Sequence, residues 1–261
     1  MFEDKTDKTE AGAKTERCDI VLFKGLEPLE PTYNFDVFLY AKRLRARDLA
    51  KKSKFEKIDA DVVLVDMEGV GLEQGKEFLA WIFPFKKEKN FLLGLEGVKS
   101  YEMNKAWLEM KRNGISIVDI FFPYLYAQDA MDYYQSGLNH VLLDIMKRNF
   151  IGLGIPLQAL KDVNKIGKTI QNIEWSKKKA VNLCVCSLAK NAETIFDAID
   201  VFHFLIALGA TPRQAKNALA FACVKRQLNQ EIFKHKVDNA FVYKESEEIK
   251  LIDLMNKLKM N

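Results

Sequence analysis

The side chains best suited to chemistry in this chain are few and scattered. Histidine, the usual neutral-pH proton carrier and a common metal ligand, occurs only at His140, His203 and His235, no two of them close in sequence. Barrel metallohydrolases gather several histidines at strand ends, often as H-x-H, so this spacing argues against a multi-histidine metal site. Asp66 and Glu68 stand two apart at the end of an apolar run, on one side of a strand. A carboxylate pair of that kind could hold Mg2+ or exchange protons, but more often it simply starts a loop. With Asp119 it makes up the acidic set that a stand-alone divalent-metal hydrolase would use. Cys18, Cys184, Cys186 and Cys223 lack C-x-x-C spacing and read as reduced, buried thiols with no metal. Gly152-Leu-Gly154 falls inside a strand pattern and Gly69-Val-Gly71 lacks a third glycine, so neither is a phosphate-binding fingerprint. There is no P-loop, no G-x-S-x-G and no Cys–His pair. A fold without a catalytic constellation reads as a binding scaffold.

Charge supports that reading. The net charge of the 261 residues is only +4, but it is unevenly spread. Residues 42–57 hold eight Lys/Arg against Asp48 and Glu56, whereas residues 58–75 hold five carboxylates and no base. Residues 161–179 carry six lysines against Asp162 and Glu174, and 190–236 carry seven basic residues against four acidic ones. Clusters separated in sequence can merge on a folded surface into the footprint of a phosphate-rich partner. The plain alternative is a set of solvated helix faces.

The elements that would position these groups alternate. Apolar strand runs are expected at 19–23, 61–67, 91–98, 116–122, 150–155 and 180–187. Helical spacing appears between them. Near 73–83 it is carried by Phe78, Leu79 and Ile82, and in 102–112 by Met103, Ala106, Trp107 and Met110. In 137–149 Leu138, Val141, Leu142, Ile145 and Met146 recur at helical intervals, with Ser136 available as a cap. The basic stretch from Lys42 reads as a helix. Gly209-Ala-Thr-Pro-Arg-Gln214 is a helix stop followed by a start, with Thr211 as cap, Pro212 first and Gln214 closing a capping box. Strands alternating with helices imply a parallel sheet, either a barrel or an open doubly wound sheet. No apolar run reaches the roughly 20 residues a membrane span needs, and residues 1–17 lack a signal-peptide hydrophobic region. The expectation is a cytoplasmic protein without membrane contact.

Three segments, in order, carry a family resemblance: Val118-Asp119-Ile120; Ser136-Gly-Leu-Asn-His-Val-Leu-Leu running into Ile151–Ile155; and Ser187-Leu-Ala-Lys-Asn191 followed by Asp200 and Leu208-Gly209. Over about 91–222 they resemble archaeal ribonuclease P protein component 3 and its eukaryotic ribonuclease P/MRP homologue. The resemblance implies an α/β chain with a single TIM-barrel-like (β/α) domain, irregular or incomplete, over 18–236. A flexible tail at 1–17 precedes it. An extension at 237–261, with an amphipathic helix through Ile249, Leu251, Ile252, Leu254, Met255 and Leu258, would pack on the barrel or a partner.

It also implies an RNA-binding subunit supporting RNA-catalysed removal of 5′ leaders from precursor tRNA. The catalyst in that family is the RNA with Mg2+, and the protein itself binds no cofactor or metal. Its partners are the ribonuclease P RNA and a small RRM-like protein subunit, with precursor tRNA met indirectly. Asn139, His140 and Asp200 match family motifs, as does Lys190. Relatives carry an R-S-P-x-D run where this chain has Phe196-Asp-Ala-Ile-Asp200, so phosphate must be reached differently. Lys190, Arg213, Lys216, Lys225 and Arg226 are the expected substitutes. Lys111, Arg112, Lys147 and Arg148 are further candidates, although cations at helix C-termini also complement the dipole.

Overall fold

A computed structural model describes residues 16–22, 33–47, 59–124, 136–237, 240–241 and 256. The tail at 1–15, the basic run beyond Arg47 up to Ile58 and nearly all of the 237–261 extension, its expected amphipathic helix included, lie outside the described residues. Seven strands form one sheet in chain order: β1 (Cys18–Val21), β2 (Val37–Arg45), β3 (Val62–Asp66), β4 (Leu92–Glu96), β5 (Ile120–Phe122), β6 (Gly152–Pro156) and β7 (Leu183–Cys186). Every neighbouring pair is parallel. Helices α1 (Leu72–Lys89), α2 (Tyr101–Leu108), α3 (His140–Asn149), α4 (Val163–Lys179) and α5 (Ala198–Ala207) each follow a strand from β3 onward, and α6 (Pro212–His235) follows α5.

The sheet curls into a barrel that is nearly closed. No regular ladder joins β7 to β1. Instead, three backbone N–H groups bond across the C-terminal ends: Ser187 N–H to Asp19 Oδ1 (2.7 Å), Leu188 N–H to the Ile20 carbonyl (2.9 Å) and Leu22 N–H to the Ala189 carbonyl (2.8 Å). At the other end of this seam α6 packs on β7 and β1, and Cys223 N–H meets Cys18 Sγ at 3.3 Å. From there α6 continues across the strand starts, where Lys225 and Asn229 reach Asp119 and Arg226 reaches Asp61.

Strand alternation sorts the apolar residues into two layers. Cys18, Ile20, Leu39, Ala41, Val62, Leu64, Leu92, Ile120, Phe122, Cys184 and Cys186 face inward, where they meet Phe221, Cys223, Val224 and Leu228 of α6. The opposite faces of the strands pack under α1–α5. A seven-stranded interior is narrow, and two glycines make room in it. A Cβ on Gly152 would fall 2.4 Å from the Phe221 ring, and one on Gly154 would fall 2.5 Å from that of Phe122. The Gly-Leu-Gly run is therefore a packing device inside β6.

Several expectations shift in detail. Residues 42–45 belong to β2, not to a helix, because Leu39 and Ala41 are inward core positions and the ladder to β3 runs to Arg45. The helix 137–149 begins later, and its cap is Asn139, whose Oδ1 accepts Leu142 N–H at 2.9 Å. Ser136 is buried and lends only its carbonyl, to Asn172 Nδ2 (2.9 Å). Residues 111–116 form a tight hairpin ahead of β5, and α1 runs past Pro84 to Lys89. Proline has no N–H to give the carbonyl four residues back, which is Ala80. The Arg112 guanidinium donates to that carbonyl instead, at 3.1 Å. The capping box at the start of α6 is present: Thr211 Oγ1 accepts Gln214 N–H (3.2 Å), and Gln214 Oε1 accepts Thr211 N–H (3.1 Å).

Candidate functional site

The two ends of the barrel differ in chemistry. At the C-terminal end, where β/α barrels place their active sites, the inward alternation of β2, β3 and β4 continues into Arg43, Arg45, Asp66 and Glu96. Asp66 lies in register with Arg45 on one side and Glu96 on the other. The Arg43 guanidinium pairs with Glu96 Oε2. Burial pushes the Glu96 carboxyl above its usual range, Arg43 opposes that shift and Asp66 adds to it. Asp66 Oδ1 also accepts the N–H of Glu68, which is exposed. Arginine and carboxylate largely neutralise each other here.

Asp119 stands at the opposite end, just before β5, fully buried. Its Oδ2 meets Lys86 Nζ at 2.7 Å and Leu93 N–H at 2.8 Å. Its Oδ1 accepts Asn229 Nδ2 at 2.9 Å, with Lys225 Nζ 3.7 Å away. Lys86 Nζ also reaches the carbonyls of Ile117 (2.8 Å) and Ser116 (3.3 Å). Burial lowers the pKa of Lys86, against the pull of Asp119. It lowers Lys225 to about 8, with Asp119 opposing and Lys86 assisting. The cluster joins α1, β5 and α6. It cannot share a metal with Asp66 and Glu68, because Asp66 lies about three residues, or ~10 Å, further along the barrel axis. Among the described residues no group of three or more His, Cys, Asp or Glu side chains is placed to hold a metal ion.

The thiols converge. Cys184 and Cys186 Sγ are 3.9 Å apart, all four cysteines are free and buried, and Cys18 is hydrogen-bonded to Cys223. The bond with Cys223 and burial raise the Cys18 thiol well above its ordinary value, and burial with Cys184 does the same for Cys186.

The other singled-out residues separate by end. Lys190 is exposed in the loop after β7, His140 is exposed at the start of α3, and Asp200 is exposed near the start of α5. These, with the cap Asn139, belong to the C-terminal end. Asp200 and Phe196 line an apolar groove of about 390 Å3 with Leu157, Leu160, Val201 and Phe204. Lys111, Arg112, Lys147, Arg148, Arg213 and Lys216 are exposed towards the N-terminal end.

Lys225 does not belong with these surface cations. It is only 5% exposed and occupied with Asp119, because α6 turns that side chain into the barrel rim. Arg226 is half-buried and ties α6 to the strand starts through Asp61 Oδ1 (2.8 Å) and the Asn90 carbonyl (3.2 Å). Sequence reasoning passed over Lys86, Asn229 and Asp19. Lys86 sits in the run Lys86-Lys87-Glu88-Lys89, which reads as solvated, and only its position on α1 turns it inward.

No family model matches the sequence, and no curated protein matches it. Among solved structures, a chain in a cryo-EM structure of archaeal ribonuclease P with mature tRNA has a similar fold. The two share 17% identity and a TM-score of 0.61, with 88% of this chain and 99% of that chain covered. No helix among the described residues is long and apolar enough to cross a membrane.

Proposed function

We propose that this chain is an RNA-binding protein subunit of ribonuclease P, supporting RNA-catalysed removal of 5′ leaders from precursor tRNA. One observation carries the reading: the fold superimposes along nearly the full length of a chain that works in that assembly. The chemistry of the chain is compatible with it. At the C-terminal mouth Arg43 is paired with Glu96, and Asp119 is held in a buried ion cluster. Chemistry in such an assembly belongs to the RNA and its Mg2+. On this reading the partners are the ribonuclease P RNA and a small RRM-like subunit, precursor tRNA is met through the assembly, and residues 18–236 act as one barrel unit.

Reconstitution tests this. Precursor-tRNA cleavage by the cognate RNA and remaining subunits is expected to rise at least several-fold when this chain is added. Asp66→Asn and Glu68→Gln are expected to leave that rise intact. No effect of the chain on cleavage sinks the proposal. Cleavage by the chain alone, lost in Asp66→Asn, would establish a metal-dependent hydrolase instead.

A further inference from the structure

In a parallel barrel the helices run antiparallel to the strands, so every helix C-terminus lands beside a strand start. Here the return is abrupt. Phe150 and Ala180 take left-handed backbone (φ 52° and 54°) directly after α3 and α4, and the next strand follows within three residues. The last turns of these helices hold Lys147 and Arg148 on α3 and Lys177 on α4, all exposed. Lys177 Nζ lies 3.4 Å from the Gly209 carbonyl, which brings the end of α4 against the α5–α6 turn. Arg213 and Lys216 follow in the first turns of α6, also exposed. Five cations from three elements therefore share the N-terminal face. Two carboxylates on the same helices are engaged by other lysines: Asp144 by Lys179 (3.0 Å) and Glu174 by Lys178 (2.7 Å). Among the described residues, none of the five is in an ion pair.

Helix stability explains only part of this arc. Cations at the C-terminal ends of α3 and α4 complement those helix dipoles, but Arg213 and Lys216 sit at the positive end of α6, where the dipole disfavours them. The opposite end of the barrel mixes exposed carboxylates, among them Glu68, Glu193 and Asp200, with exposed Arg43, Arg45 and Lys190. We propose that the RNA backbone of the assembly lies along the N-terminal face, on the arc from Lys147 through Lys177 to Lys216, leaving Lys190 and the C-terminal mouth away from phosphate. The proposal rests on the ribonuclease P reading and adds the face to it. It assigns the partner to the end opposite the one where barrels of this class hold small molecules.

The test measures binding of the full chain to fluorescein-labelled ribonuclease P RNA across a salt series. Three proteins are compared with wild type: Lys147→Gln/Arg148→Gln/Lys177→Gln, Arg213→Gln/Lys216→Gln, and a control, Lys161→Gln/Lys168→Gln/Lys190→Gln, from the other end. Circular dichroism melts check that each is folded. Both N-terminal-face variants are expected to weaken binding about tenfold or more at moderate salt. The slope of log K against log salt should fall by about 0.7–0.9 for each phosphate that the variant no longer neutralises. The control should keep both affinity and slope. If the control is weakened as much as the face variants, or if the face variants bind as wild type does, the face assignment is overturned while RNA binding stands. Wild-type protein that shows no salt-dependent RNA binding defeats the subunit reading itself. Face variants that lose binding to poly-glutamate but retain RNA would overturn RNA as the occupant in favour of an acidic protein.

Discussion

Asp19 holds the barrel seam with one carboxylate oxygen and leaves the other without a partner. Its Oδ1 accepts the N–H groups of Ser187 (2.7 Å) and Ile20 (2.8 Å), while Oδ2 is buried and unbonded. Burial pushes its pKa from 3.8 to about 6, and hydrogen bonding from the Ser187 side chain and from the Ser187 and Ile20 N–H groups only partly offsets that. Between those values the folded chain binds the proton more tightly than the unfolded chain. The contribution of Asp19 to stability is therefore full below about pH 4 and is lost as pH rises through 6. Asp19→Asn, which keeps an acceptor without the charge, is expected to be more stable than wild type at pH 7.5, by on the order of 1–3 kcal/mol. The two proteins should converge near pH 4. Urea midpoints at the two pH values check this, and a variant weaker at pH 7.5 would refute it. The lysines on Asp119 give a contrasting pair. Lys86→Met strands a buried carboxylate and should cost about 3–5 kcal/mol. Lys225→Met leaves Lys86 and Asn229 in place and should cost under about 1 kcal/mol at pH 7. Equal losses in chemical denaturation would contradict this division of roles.

Among the elements, α6 and α1 depend on compensations that local sequence does not display. The Phe221 ring occupies the space over Gly152 inside the barrel. Phe221→Ala should therefore cost about 3–5 kcal/mol. Gly152→Ala should be severe in wild type and milder in a Phe221→Leu background, a coupling that a double-mutant cycle would read. In α1, Arg112 satisfies the carbonyl that Pro84 leaves open. Arg112→Ala is expected to lower stability by about 1 kcal/mol, and less in a Pro84→Ala protein, where the helix supplies its own N–H. Lack of coupling would separate the guanidinium from the proline. Arg112 thus has a structural duty that its position among candidate RNA contacts conceals.

At the scale of the whole molecule, the strand–helix alternation, the buried runs of β3, β4, β6 and β7 and the capping box at Thr211 were legible because they are local. A strand buried on both faces must be apolar throughout, and a helix start must satisfy its own N–H groups. β2 was not legible, since Arg43 and Arg45 alternate with apolar residues only at a barrel mouth and resemble a basic helix face until Leu39 and Ala41 are known to point inward. Asp66, Glu68 and Asp119 could be grouped from sequence as one acidic set. Only the barrel shows that they occupy opposite ends, because distance along the axis depends on register between strands far apart in the chain. The same holds for the charges. Composition determined that the chain is mildly basic and rich in lysine clusters. Which clusters meet on one face, and that Lys86 and Lys225 turn inward while Lys147, Lys177 and Arg213 do not, was decided by the antiparallel return of each helix and by α6 crossing the strand starts beside Asp119.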